Sequence, residues 1–180
     1  VRPRHRTDVT ASLWALEESL ELSDVYQAHA PAVARWAARL GGPRVDAEDV
    51  VHDVFLVIER RLGEFRGEAK LSTWIYRITH RVVLRHLRRA KLRSIFGALD
   101  DAATVASGAP SPLEEAVRSQ AALQLYGALD RLSEKYRTAI ILHDLEGIPA
   151  ERIAEMTGVE VSTVWVRLHR GKKKLEEILG

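Results

Sequence analysis

The sequence predicts an all-α protein: two small helical domains joined by a flexible linker, the C-terminal one a helix-turn-helix. Three observations predict this. Apolar residues recur three and four apart along nearly all of the patterned chain, the period of a helix with one buried face. The stretch 94–109 (SIFGALDDAATVASGA) holds no period and divides the pattern in two. The stretch 149–179 breaks once, at Thr157-Gly158, into two short amphipathic runs, which is the form of two crossing helices joined by a tight turn.

Composition sets the outer bounds. A chain of 180 residues suits one domain or two small ones, and 46% hydrophobic with 29% charged residues describes a soluble globular protein. It has no cysteine, which excludes disulfides and thiolate metal sites and fits a reducing cytoplasm. No apolar run reaches the roughly 20 residues that cross a bilayer. The N-terminal VRPRHRTDVTASLW has no hydrophobic core of the kind a secretory signal needs. Net charge is +2 but unevenly spread. Between Ala69 and Leu99 there is no acid, while Lys70, Arg77, Arg81, Arg85, Arg88, Arg89, Lys91 and Arg93 contribute +8, leaving −6 for the rest. Such asymmetry predicts a polyanionic partner for the basic part.

In order, residues 1–12 show no period and 13–22 (LWALEESLEL) predict a short helix, so 1–22 is set apart as an N-terminal tail. A helix over 23–40 follows, capped by Ser23 or Asp24 and interrupted at Pro31. Val25, Tyr26, His29, Val33, Trp36, Ala37 and Leu40 form its stripe, with Trp36 in the core. Gly41-Gly42-Pro43 ends it. Asp46 caps the next helix, 46–62, whose first turn holds Glu48 and Asp49 where the helix dipole favours anions. Val50, Val51, Val54, Phe55, Ile58 and Leu62 make its buried face; Asp46, Asp49 and Asp53 make an acidic edge. No cluster of His, Asp or Glu elsewhere completes a metal or acid–base site, so neither an enzyme nor a cofactor is expected.

The loop 63–70 leads to a helix over 71–93. At about 100° per residue, Leu71, Ile75, Ile78 and Val82 share one face, while Arg77, Arg81, Arg85 and Arg88 lie within about 80° of one another beside it. Trp74 points the same way, so the face offers guanidinium to phosphate and indole to an unstacked base. After the linker, Ser111-Pro112-Leu113-Glu114 forms a capping box that opens a helix to Leu132. Ser133 caps a further helix, stopped at Gly147, in which His143 sits at the core edge. Domain boundaries follow at 23–93 and 113–180, with 94–112 as linker.

Pro149 opens the first helix of the final pair, with Ile153, Ala154 and Met156 inward. The second begins near Val161, with Val161, Val164, Leu168, Leu175 and Ile178–Leu179 as its stripe. Ala154 suits the crossing point, Gly158 the positive φ of the turn, and Val164 the gap between helices. The opposite face carries Ser162, Thr163, Val166, His169, Arg170 and Lys173, flanked by Arg167 and Lys172. Hydrogen-bonding groups at its start and cations further on suit a helix reading base edges in a major groove and holding phosphates behind them.

Two stretches then match a known family. DAEDVVHDVFLVIERRLGEFRGEAKLSTWIYRITHRVVLRHLRR resembles the first conserved domain of bacterial RNA polymerase sigma factors of the extracytoplasmic-function class. LDRLSEKYRTAIILHDLEGIPAERIAEMTGVEVSTVWVRLHRGKKKL resembles the second. The resemblance implies a transcription initiation factor, monomeric when free and acting in the cytoplasm. Its partners would be core RNA polymerase, promoter DNA and an inhibitory anti-sigma protein. Asp46, Asp49, His52 and Asp53 would dock on the polymerase. Phe65, Arg66, Lys70, Ser72, Thr73, Trp74, Arg77, Arg81, Arg85, Arg88 and Arg89 would recognise and melt the minus-ten element. Ser162, Thr163, Trp165, Val166, Arg167, His169, Arg170, Lys172 and Lys173 would read the minus-thirty-five element. The chain departs from the family in His52 for the usual Gln, Arg81 and Arg85 for Asn and Asp, and Trp165-Val166 for Lys-Ser. Two other readings are a homodimeric helix-turn-helix repressor acting without polymerase, and a helical adaptor that binds no DNA.

Overall fold

The structure is a computed structural model that describes residues 20–96 and 119–180. Among them are α1 (Leu22–Gly41), α2 (Ala47–Arg61), α3 (Leu71–Phe96), α4 (Gln120–Leu129), α5 (Glu134–Ile140), α6 (Ala150–Thr157) and α7 (Val161–Leu179). Tight 3-10 turns at Gly42–Arg44 and Leu62–Glu64 follow α1 and α2, and a π-turn over Ile141–Leu145 extends α5. No strand occurs among the described residues. Most of the short helix expected over 13–22 and the capping box at Ser111 lie outside the described residues, as does most of the linker; of that short helix Leu20 and Glu21 are not helical, and Leu22 already opens α1. Its first residues, 94–96, continue α3 instead.

α1, α2 and α3 form the first module. Val33, Val50, Val54, Ile58 and Ile75 are wholly buried between them, each worth about 1.5–3 kcal/mol of transfer free energy. Trp36 is buried as expected, its ring edge-on to Tyr76 at 5.4 Å. Two expectations for α1 fail. Its N-cap is Glu21, with no side-chain cap bond, and not Ser23 or Asp24. The helix also runs unbroken through Pro31, because burying Val25 before it and Val33 and Trp36 after it outweighs one lost backbone bond. Tyr26, placed on the apolar stripe by spacing, is half exposed and instead covers Phe55 of α2, ring centroids 4.6 Å apart. α2 begins as expected: Asp46 Oδ1 accepts from the Glu48 and Asp49 amides at 2.9 and 3.2 Å.

α4–α7 form the second module. The expected unbroken helix from Ser111 to Leu132 fails at Ser119, which is extended (φ −60°, ψ 155°) and caps α4 by accepting from the Ala122 amide. Pro149 is the N-cap of α6 and not its first helical residue. α5 and α7 cross at Gly171, where an added Cβ would meet Ile140 Cδ1 at 3.0 Å.

The modules meet along a polar seam at the C-terminal end of α1. Gly42, at φ +63°, lets the Tyr126 ring lie directly on the backbone; a Cβ there would stand 2.5 Å from the ring. Tyr126 donates its hydroxyl to the Arg39 carbonyl at 2.7 Å, and Arg137 donates to the Leu40 carbonyl at 3.0 Å. Asp130 holds Arg137 at 3.0 Å and Arg44 at 2.9 Å, and the buried Glu146 carboxylate takes Arg39 at 3.2 Å. Asp130→Ala strands the largely buried Arg137, at a cost of about 2–3 kcal/mol. Glu64→Ala, which breaks the exposed Arg61 pair, costs under about 0.5 kcal/mol. Urea unfolding of both variants measures the difference; equal costs would show that Asp130 does not compensate Arg137.

Candidate nucleic-acid interface

The helix-turn-helix forms as its residues predict. Gly158 takes the left-handed conformation (φ 71°) that closes α6, and its amide bonds the Ala154 carbonyl at 2.8 Å. Ala154, Val164 and Leu168 fill the crossing with α7. The outer face of α7 then presents Ser162, Val166, His169, Arg170 and Lys173 as exposed side chains, with Thr163 and Arg167 half-buried. Lys172 leans back to Asp144 at 2.9 Å. Trp165 does two things. Its ring stands edge-on to His143 at 5.6 Å, yet it remains 51% exposed beside Val166 at 47%. These two apolar groups sit on an otherwise polar face, where a thymine methyl is the natural apolar contact.

α3 is less free than its sequence predicts. The absence of acids within 69–99 does not leave the arginines uncompensated, because α2 supplies one. Arg85 donates to Asp53 at 2.9 Å, and His86 meets the same oxygen at 2.9 Å. The His86 hydrogen bond, helped by Arg85, keeps the Asp53 carboxyl below its ordinary pKa. Arg77 donates to the carbonyls of Met156 at 3.2 Å and Glu155 at 3.3 Å, both at the C-terminal end of α6. Lys70 meets the Glu155 carboxylate at 3.3 Å. Thr73 is only 3% exposed, and with Ser72 it accepts from Arg152 of α6 at 3.0 and 2.7 Å. Trp74 is half-buried, with Phe65 beside it at 5.5 Å, so these two form one aromatic corner, and Arg66 next to Phe65 in the chain is exposed. Arg81, Arg88 and Arg89 are exposed.

On α2 the acidic edge divides. Asp46 is spent on the cap and Asp53 on Arg85, leaving Asp49 and His52 exposed. His52 borders an apolar groove of about 620 Å³ between α1 and α2, lined also by Tyr26, Ala30, Val51 and Phe55. Among the described residues no three His, Asp or Glu side chains converge as metal ligands, and no helix is long and apolar enough to cross a membrane.

Arg152 and Glu155 carry the contact to α3, and nothing in their spacing announces partners some eighty residues away. His80 is equally silent in the sequence. It lies between the modules, 3.3 Å from the Thr138 hydroxyl and 3.9 Å from Glu134, its ring stacked on Tyr76. Burial pulls its pKa down, against the opposing pull of Glu134 and with a smaller push from Arg81. A histidine kept neutral by folding stabilises the native chain above its ordinary pKa of about 6.5, and that stability falls as pH drops below it and the unfolded chain takes up the proton. His80→Gln therefore flattens the loss of stability between about pH 7 and 5.5, leaving the share of His29, whose pKa burial also lowers. Urea midpoints across that range check it; an unchanged slope would remove His80 from the balance.

Comparison with known proteins matches both helical modules. The family model for Sigma-70 region 2 matches residues 25–93, and that for Sigma-70 region 4 matches 122–175. The chain is 31% identical over 157 residues to the ECF RNA polymerase sigma factor SigE of Mycolicibacterium smegmatis, covering 87% of this chain and 61% of SigE. It is 30% identical over 157 residues to the RNA polymerase sigma factor CarQ of Myxococcus xanthus, covering 87% of this chain and 88% of CarQ. Among solved structures, CnrH in complex with the cytosolic domain of CnrY shares the fold at TM-score 0.58 and 22% identity, over 94% of each chain. RpoE of Bartonella quintana, in complex with the anti-sigma factor NepR, shares it at TM-score 0.56 and 23% identity, over 87% of this chain and 95% of that one.

Proposed function

The chain belongs to the extracytoplasmic-function class of RNA polymerase sigma factors, and from this premise we propose how its surfaces divide the work of starting transcription. It is a transcription initiation factor that binds core RNA polymerase and directs it to promoters. The modules 23–93 and 113–180 serve the two promoter elements. α2 docks on the polymerase, with Asp49 and His52 as its accessible polar contacts, Asp46 holding the helix start and Asp53 fixing α2 to α3. Phe65, Arg66 and Trp74 with the N-terminal half of α3 take the melted minus-ten strand, and Arg81, Arg88 and Arg89 hold its phosphates. α7 reads the minus-thirty-five element, Ser162, Thr163 and Val166 at base edges and Arg170 and Lys173 on phosphate.

The observation that carries this reading is the outer face of α7. It stands open, hydrogen-bonding and apolar at its start and cationic beyond, on a different module from a second cationic helix. A homodimeric repressor would explain α7 and leave α3 without a task. The role needs no catalytic residue and no cofactor, and it places the protein in the cytoplasm with its polymerase. The anti-sigma factor NepR bound to one structural neighbour supports an inhibitory protein partner for this chain as well.

Asp49→Lys should abolish co-migration with purified core polymerase while circular dichroism stays unchanged, since Asp49 is exposed and its side chain caps nothing. Retained co-migration would move the docking surface away from α2. The reading of α7 is checked by transcription from a promoter library randomised upstream. Val166→Lys should reorder the promoters, by roughly 1–3 kcal/mol per base pair affected, and Lys173→Ala should weaken all of them alike. The reverse pattern would mean that α7 is rotated in the groove.

A further inference from the structure

We propose that Trp165 is a specificity-determining residue for thymine, recognising its C5 methyl group in the major groove, and that His143 of the π-turn positions the indole for that contact. This rests on the assignment of α7 to the minus-thirty-five element and names the chemistry that one of its residues reads. The starting point is a large apolar ring in an unfavourable place. Half of Trp165 lies in solvent, and the half-exposed Val166 follows it in the chain. Ser162 and His169, three before and four after it, are its neighbours on the helix surface, and both are exposed. Arg170 and Lys173 lie beyond them, also exposed. An apolar protein groove closing over the indole would take these hydroxyl and cationic groups out of water without partners. The major groove of DNA suits the whole set: phosphates for the cations, base edges for the hydroxyls, and in thymine one methyl group for the indole.

The indole is also held from behind. The π-turn Ile141–Leu145 is anchored by two wholly buried residues, Ile141 and Leu142. Its end is tied by the Glu146 amide to the Ile141 carbonyl at 3.0 Å and by the Ile148 amide to the Leu142 carbonyl at 2.9 Å. On this base His143 meets the Trp165 ring edge-on at 5.6 Å. His143 donates through Nδ1 to Asp144 Oδ1 at 2.7 Å, and Lys172 donates to the same oxygen at 2.9 Å. Burial pushes the Asp144 carboxyl up, but the hydrogen bonds from His143 and Lys172 outweigh it and hold the group below its ordinary pKa, so an ionised carboxylate accepts from both. Trp165 and Lys172 stand seven residues apart on one flank of α7, two turns or about 10 Å along the axis. Two adjacent residues of the π-turn therefore grip α7 at two levels, which fixes its rotation. While Nδ1 is held, the His143 ring cannot turn away from the indole. Lys172 is committed to this bracket, which leaves Trp165 as the reading group on that flank.

The test is transcription by core polymerase carrying the full chain, from the promoter that the randomised library selects. That promoter is remade with deoxyuridine in place of each upstream thymine in turn, on either strand. Deoxyuridine keeps the O4 acceptor of thymine and lacks only the methyl. At one thymine the exchange should lower transcription about fourfold, the factor expected for one methyl group lost from an apolar contact. Trp165→Ala, or Trp165→Gln if the alanine variant folds poorly, should abolish that difference. His143→Ala should reduce it. His143→Phe, which keeps a ring against the indole, should restore most of it, and His143→Asn, which keeps a donor for Asp144 without the ring, should not. Each ratio compares two templates with the same protein, so a loss of folded protein cancels. A methyl dependence that survives in Trp165→Ala would belong to another residue and overturn the proposal, as would insensitivity to every exchange or a selected promoter without thymine. A His143→Ala ratio equal to that of the wild-type chain, or rescue by asparagine and not by phenylalanine, would overturn the positioning role. A library in which no upstream sequence is preferred would overturn the reading of α7 and this inference with it; a preferred sequence without methyl dependence overturns this inference alone.

Discussion

The rest of the structure depends on one constraint: α3 is a long helix lined with arginine that carries no acid of its own. Like charges at helical spacing raise its free energy, and every compensating group has to arrive from another element. α2 supplies Asp53 to Arg85 and His86, fixing the rotation of the two helices in the first module. The second module supplies Glu155 to Lys70 and the carbonyl end of α6 to Arg77. Where no acid arrives, at Arg81, Arg88 and Arg89, the guanidinium groups remain in solvent. The order of charge along one segment thus determines which faces of its neighbours can approach it.

Local chemistry made much of the fold legible. The Asp46 cap, the left-handed Gly158 and the plug of Ala154 and Val164 each depend on residues within a few positions of one another, so spacing alone exposes them. Pro31 misled because its local cost is real but small beside the burial of Val33 and Trp36 on the same helix. Ser119 was overlooked because an apolar period continues across it, and periodicity does not register a single extended residue. The sigma-factor resemblance and the helix-turn-helix were visible in the residues; the contact of α6 with the start of α3 was not.

The reason for that last gap is physical. A run without acids in sequence says nothing about acids in space, and Asp53 lies more than thirty positions from Arg85. Thr73 and Ser72 looked like free hydroxyls at a helix start, yet Arg152 reaches both from the other module. The acidic edge on α2 divided for the same reason. Three aspartates and a histidine along one helix have different tasks once a cap and a guanidinium have taken two of them, leaving Asp49 and His52 facing solvent.

The two kinds of contact in this molecule also differ in what it costs to part them. Within each module the helices share close-packed apolar side chains, and such cores resist sliding because small displacements forfeit many contacts at once. Between modules, apart from the Tyr126 ring on Gly42, most of the contacts described are hydrogen bonds and ion pairs, some buried as at Arg137 and Thr73 and others open to solvent as at Lys70. Water can replace those partners when the modules separate, so the net loss per bond is a fraction of its strength in isolation. Ala154, Val164 and Leu168 join α6 and α7 into one body, so a movement that draws α6 from α3 carries α7 with it, its outer face unaltered.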